Sequence, residues 1–223
     1  MGLKGSLRNV STGVIAIPDS VIDQFEQYNG GLSLSDNYPN TTASSVFSIT
    51  TDTVFQGDQA LLADATADGT EILFSEFGDG LEDYPNIGDR FQLRFRSDSE
   101  NPTRSGVCWG DELNGDLPDN GLTFDHNDGD FRVLEGSAGN EITTVSETQP
   151  SDEWTIWEFD TDADTNDIEW TVYNQGSGEG YVDEDKGDVI FSTVVDGSAV
   201  ANLRGWGYRT AEKVYYDDVV IIE

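Results

Sequence analysis

An all-β antiparallel sandwich of the jelly-roll type is the fold class this 223-residue sequence predicts, and three observations predict it. Apolar residues recur with period two, as in Arg90-Phe-Gln-Leu-Arg-Phe-Arg96, which puts Phe91, Leu93 and Phe95 on one face and Arg90, Gln92, Arg94 and Arg96 on the other. Such runs are separated by turn chemistry such as Asp79-Gly80, Asn120-Gly121 and Asp128-Gly129. No segment keeps a 3.6-residue period long enough to make a stable helix.

Residues 1–19 stand apart at the start of the chain: they carry Lys4 and Arg8 and no acid before Asp19. They read as a docking arm, with Leu3, Leu7, Val10, Val14, Ile15 and Ile17 supplying apolar contact and the two cations meeting carboxylates on a neighbour. The apolar stretch 14–17 is too short for a signal-peptide core, so export by the ordinary secretory route is not expected. From residue 20 to 223 no break in composition divides the chain, and one jelly-roll domain is expected. Its alternating runs lie near 21–28, 45–55, 58–63, 71–75, 90–96, 105–110, 121–125, 130–135, 141–147, 153–160, 167–174, 188–195, 202–209 and 213–222. Asp128-Gly129 is the two-residue hairpin signal between two of them, and the acidic stretch Asp160 to Asp167 reads as a solvated hairpin turn, since it lacks the central Gly and closing Glu of an EF-hand loop. Short strands at this spacing are the mark of a sandwich or jelly roll.

Composition limits function. There are 44 acids against 11 Lys and Arg, a formal charge of −33, where a small soluble domain ordinarily carries a magnitude of about 2 to 8. Aromatic residues at 11% and hydrophobic residues at 36% nonetheless supply a core, so the chain folds rather than staying disordered. The acids run from Asp19 to Glu223, and lysine is confined to Lys4, Lys186 and Lys213. That pattern suits molar salt, where the Debye length shrinks to about 3 Å and self-repulsion is screened. A hypersaline setting is therefore expected. Nucleic acid is excluded as a partner, since its phosphates would be repelled, and no apolar run approaches the roughly 18 residues that insertion into a membrane requires. A single Cys108 rules out an internal disulfide.

Several stretches in order resemble the concanavalin A-like jelly roll of laminin-G-type and glucanase-type domains. They are Phe25-Glu26, Val54-Phe-Gln-Gly-Asp-Gln-Ala-Leu61, Gly88-Asp-Arg-Phe91, Glu153-Trp-Thr-Ile-Trp-Glu-Phe-Asp160, Ile168-Glu-Trp-Thr-Val-Tyr173 and Val214-Tyr-Tyr-Asp-Asp-Val-Val220. The opening Gly-Ser-Leu-Arg-Asn-Val-Ser-Thr-Gly run joined to an acidic jelly roll is also similar to virion proteins of haloarchaeal tailed viruses, which build capsid turrets, tail fibres or baseplates from such modules. This second resemblance implies a virion structural protein, assembled in the host cytoplasm, a homo-oligomer joined to other virion proteins through the arm.

The glucanase members of the fold use a Glu-x-Asp-x-x-Glu strand, which alternation would place on one face of a cleft. Here Glu158-Phe-Asp160 fills the first two positions and Ala163 stands at the third, so no enzyme activity is expected. The lone His126, within Phe124-Asp-His-Asn-Asp-Gly129, reads as part of a hairpin turn rather than a catalytic base. The resemblance further implies a structural Ca²⁺ where first and last strands meet, at Glu26, the Gly57 to Asp58 turn, and Asp217 or Asp218. Asp217 should share a face with Tyr215, Val219 and Ile221 at a core margin, where its partner is a cation, an arginine or a backbone N–H. Arginine is the minority charge: if the Arg94 and Arg96 face is concave, it would join Trp109, Arg132 and Trp206 in a groove for host-surface glycans. The other reading has these arginines neutralise acids and the tryptophans fill the core. A non-enzymatic virion protein displayed on capsid or tail is the first reading. A carbohydrate-binding module or lectin unconnected to a virus, and a diverged glycoside hydrolase, are the alternatives.

Overall fold

A computed structural model describes residues 20–26, 28, 33–42, 45–66, 69–81, 83–176 and 186–222. Domain residues 20–223 form the body of the expectation above; the arm residues Leu3, Lys4, Leu7, Arg8, Val10, Val14, Ile15 and Ile17 lie outside the described residues.

In chain order the elements are β1 (Ser20–Asp23), the one-turn helix α1 (Leu34–Asn37), β2 (Asn40–Thr41), β3 (Phe47–Thr50), β4 (Ala60–Asp64), β5 (Glu71–Ser75), β6 (Arg90–Ser97) and β7 (Ser105–Gly110). There follow β8 (Leu113–Asn114), β9 (Leu117–Pro118), β10 (Gly121–Asn127), β11 (Asp130–Glu135), β12 (Asn140–Ser146), β13 (Trp154–Thr161), β14 (Asp167–Gln175), β15 (Lys186–Asp196), β16 (Gly205–Thr210) and β17 (Lys213–Ile221). One sheet runs β15-β14-β13-β6-β17-β4-β3, with β1 also on β17; the other runs β12-β11-β10-β7-β16-β5-β2. All these ladders are antiparallel. No helix among the described residues is long and apolar enough to cross a membrane.

Alternation builds the layer between the sheets. Phe91, Leu93 and Phe95 of β6 turn inward with Trp157 and Phe159 of β13 and Trp170 of β14, and the other sheet answers with Trp109, Phe124, Phe131 and Trp206. Phe91 stacks on Phe159 at 4.8 Å between centroids and takes the edges of Trp109 and Trp206 at 5.7 and 5.6 Å. Edge-to-face and offset pairs are the arrangements the ring quadrupole favours, so the aromatic content fixes side-chain orientation as well as burying area. The β10 to β11 hairpin turns at Asp128-Gly129 as expected, both residues at positive φ, 52° and 99°.

Four expectations are corrected. The strand expected over 21–28 stops at Asp23, because Phe25 takes φ 61° and the buried Asp23 carboxylate accepts from Phe25 N (2.7 Å), Tyr38 OH (2.7 Å) and Tyr28 OH (3.0 Å), turning the chain. The run 45–55 keeps only β3 as strand, the rest becoming a loop. His126 is not in a turn: it lies within β10, one residue before its end, fully buried, edge-on to Phe131, its ring nitrogens facing the carbonyls of Pro102 and Glu147 at 3.2 and 3.1 Å. Lastly, Asp217 does not share a face with Val219 and Ile221. A bulge at Asp218, φ 53°, shifts the register on β6, so Val219 and Ile221 swing to the core side with Val214 and Tyr216. One extra residue reverses every side chain after it.

Candidate functional site

The outer face of the eight-stranded sheet carries an open cleft of about 290 Å³, lined by Arg90, Glu158, Asp160, Glu169, Thr171, Tyr173, Lys186 and Gly187. Four neighbouring strands, β6, β13, β14 and β15, contribute these groups, and pairing fixes their positions: Glu158 lies opposite Gln92 and Thr171, Asp160 opposite Arg90 and Glu169. Glu158 is the buried centre, 5% exposed. Its Oε1 accepts from Arg90 Nη2 at 3.2 Å and from Tyr173 OH at 3.5 Å, while Oε2 accepts from Lys186 Nζ and Gln92 Nε2. Lys186 Nζ also sits over the Tyr173 ring, 4.8 Å from its centroid. Behind Gln92, the buried Arg94 donates to Gln92 Oε1 at 3.2 Å and lies 4.8 Å over the Phe55 ring. Both Glu158 oxygens are thus engaged as acceptors, and the rim carries the exposed carboxylates of Asp160 and Glu169.

A second charged cluster lies on the outer face of the seven-stranded sheet. Asp125, fully buried, accepts from Arg132 Nε and Nη2 at 3.0 and 2.9 Å and from Arg209 Nη1 at 2.6 Å; Arg209 also reaches Asp116 at 3.2 Å. Asp116 belongs to the β8–β9 hairpin, which folds back over this face. The sheet is stripped for it by glycine: a Cβ on Gly110 would lie 2.5 Å from the Cβ of Pro118 in β9. Leu113 of β8 packs on Ile72, Phe74 and Cys108. Cys108 is an inert member of this packing, its thiol pushed up to about 12 by burial.

The structure does not bring the five expected glycan-groove residues together. Arg94 and Arg96 lie on the outer face of the eight-stranded sheet, Arg94 buried and Arg96 bound to Asp152 at 3.2 Å. Arg132 lies on the opposite outer face, clasping Asp125. Trp109 and Trp206, both fully buried, fill the layer between the sheets. The alternative reading, tryptophans in the core and arginines neutralising acids, describes what is seen.

The residues expected to hold Ca²⁺ do converge, since β1 and β17 pair and the 55–59 loop folds over them. Their oxygens meet amides. Glu26 Oε1 accepts from Asp58 N (2.7 Å) and Gln59 N (2.9 Å), and Asp217 Oδ2 from Phe55 N (2.9 Å) and Gln56 N (3.1 Å). Asp217 Oδ1 takes Asp218 N at 2.9 Å, and Asp218 Oδ1 takes Gln24 Nε2 at 3.0 Å. Gly57 permits the approach: a Cβ there would lie 2.2 Å from Glu26 Oε1. Glu26 Oε1 and Asp217 Oδ2 each thus spend their lone pairs on two N–H donors of the 55–59 loop. Among the described residues no three Asp, Glu, His or Cys side chains group to hold a metal. Burial and the neighbouring Asp218 charge push the Asp217 carboxyl up to about 8.

No family model and no curated relative matches this sequence. Solved structures do match its fold. "Cellulose induced protein, Cip1" superposes with a TM-score of 0.54 at 15% identity over 89% of this chain and 95% of that one. A legume lectin-like domain from Entamoeba histolytica gives 0.54 at 10% over 94% and 97%, and the catalytic domain of a glycoside hydrolase family 131 protein from Coprinopsis cinerea gives 0.51 at 14% over 95% of each. The body therefore shares the fold of these structures, an antiparallel jelly-roll β-sandwich of the concanavalin A-like kind.

Sequence reasoning quoted Glu158 and Asp160 only as an incomplete catalytic strand and did not single out Tyr173 or Lys186. The one signal available was local: Lys186 is among three lysines in the chain.

Proposed function

We propose that this chain is a non-enzymatic carbohydrate-binding protein whose outer cleft takes a neutral, hydroxyl-rich sugar. The observation that carries this reading is Glu158, a buried carboxylate held by Arg90, Lys186 and Gln92 in the wall of an open polar cleft. Vicinal hydroxyls both donate and accept, and the cleft offers both kinds of partner: carboxylates of Asp160 and Glu169 and donors on Arg90 and Thr171, with Glu158 fixing the cations of the wall. Fixed partners lower the ordering cost of binding. The solved structures of similar fold include a lectin-like domain and a glycoside hydrolase domain, both named for carbohydrate. Against hydrolysis stand the engagement of both Glu158 oxygens and the position of Ala163 in the turn after β13, where the glucanase strand would carry its second glutamate.

Display on a virion in a hypersaline setting, with host-surface glycans as the ligand, is the finer reading. It rests on the resemblance of the opening residues and on the charge, and deletion of residues 2–17 tests it by loss from particles.

Titration of neutral oligosaccharides by calorimetry in molar KCl tests the cleft. Binding should appear and weaken about tenfold or more in Glu158→Gln, because the cations lining the cleft lose the carboxylate that fixes them. Unchanged affinity in that variant would place the sugar elsewhere, and release of reducing ends would make the protein an enzyme.

A further inference from the structure

Among the described residues, two long sheet edges on one flank of the sandwich have no further strand paired to them. β15 ends the eight-stranded sheet with eleven residues and β12 ends the seven-stranded sheet with seven, whereas the edges on the other flank, β3 and β2, have four and two. A sheet edge presents a row of N–H and C=O groups to any strand that arrives, and folds guard against this by shortening the edge, charging it or covering it. The β3 and β2 flank is shortened. The β15 flank is not, and its stretch 189–195, Val-Ile-Phe-Ser-Thr-Val-Val, has no charged side chain in a protein with 44 acids. Three exposed large hydrophobic side chains, Val194 (59%), Val189 (56%) and Ile142 (43%), lie on these two strands; Phe77 is the fourth among the described residues.

We propose that this flank is where two copies of the chain join, β15 against β15, antiparallel about a two-fold axis. Charge selects a second copy as the occupant. Two chains of −33 each would bring carboxylates together over most of their surfaces, and the uncharged edge is where identical acidic molecules meet with least repulsion. An antiparallel pairing of one strand with itself is also self-complementary, as a two-fold interface must be. The register follows from the bulge in β15. Val172 lies opposite Phe191 and Tyr173 opposite Val189, so Ile190 is the extra residue and the regular strand runs from Phe191 to Asp196. An axis through Thr193 sets Phe191 against Val195 and Ser192 against Val194, and leaves Asp196 opposite Ile190. An axis through Ser192 would instead set Asp196 against Asp188. With the axis at Thr193, Phe191 and Val195, which point into the sandwich, meet each other across the axis, so the apolar layer continues from one copy to the next.

Light scattering of the full chain in molar KCl, from micromolar to millimolar concentration, tests this. The mass should be twice the 24.4 kDa of one chain. Val194→Glu should halve it, and Phe77→Glu, on the other exposed apolar residue, should leave it doubled. A wild-type monomer across the range, or a Val194→Glu protein that pairs like wild type, overturns the proposal. Should Val194→Glu fail to fold, Thr193→Cys decides. Facing residues in antiparallel strands stand about 4.5 to 5.5 Å apart at Cα, within disulfide reach. Oxidation should then give a covalent dimer, with the buried Cys108 unable to compete, and a purely monomeric non-reducing gel would overturn the pairing.

Discussion

Asp125 and Glu158 make an instructive pair, because nearly the same chemistry occurs on opposite outer faces of the sandwich. Each is a buried carboxylate held by two cations, Arg132 and Arg209 in one case, Arg90 and Lys186 in the other. The difference lies in what stands above them. Over Asp125 the β8–β9 hairpin rests on a glycine-stripped surface and adds Asp116 to the cluster. Over Glu158 there is an open cleft. Covered, the ion pairs anchor a hairpin to a sheet; open, they form the wall of a cleft that a ligand can enter. Charged clusters therefore acquire a role from the covering chain rather than from the residue types.

The largest effect expected is that of salt. Lowering KCl from molar to about 0.1 M lengthens the Debye length to about 10 Å and restores repulsion among surface acids, so the melting temperature should fall further than for any single substitution below. The buried pairs at Asp125 and Glu158 are screened least and should not contribute. A melting temperature flat with salt would show that they, rather than the surface acids, dominate the electrostatics.

Next in size, Asp125→Asn should remove about 3 kcal/mol or more, because it takes the shared carboxylate from the buried Arg209 and the half-buried Arg132, and should lower the melting temperature by about 6 °C or more without altering sugar affinity. Glu158→Gln should cost less stability, since the Arg90 side chain is 22% exposed to water in the cleft, while costing affinity. Equal losses of stability in the two variants would break the comparison.

Asp217 sharpens it as a buried carboxylate that accepts from the backbone N–H groups of Phe55, Gln56 and Asp218. Its folded pKa of about 8 lies above the ordinary 3.8, so the unfolded chain ionises first as pH rises. Stability from this group is present at low pH and is lost between about pH 4 and 8. Chemical denaturation across that window should show the fall, Asp217→Asn should flatten it, and a chelator should leave it unchanged. A stability that rises with pH through the window and collapses with chelator would mean that a cation holds Asp217.

Much of the fold was legible because alternation is a local property. Phe91, Leu93 and Phe95 against Arg90, Gln92, Arg94 and Arg96 separated into inner and outer faces as the sequence spacing required, and Asp128-Gly129 made its hairpin, since positive φ at both residues suits that turn. The site was legible only in fragments. Arg94 looked like an exposed ligand-binding cation, and its place on the outer face was foreseen, but the loop carrying Phe55 covers it. Trp109 and Trp206 looked available to a sugar, yet their strand parity turns them into the core.

The sequence by itself determined the all-β class, the hairpin turns, the two faces of β6 and the charge, because each depends on neighbours within a few residues. Tertiary structure decided which faces are covered, that Val219 and Ile221 pass to the core side after the Asp218 bulge, and that Arg90, Glu158, Tyr173 and Lys186 share one cleft. Those residues are spread from position 90 to 186 and meet only through the order of strands across a sheet. That order is set by the packing of two complete apolar faces, which no local spacing encodes.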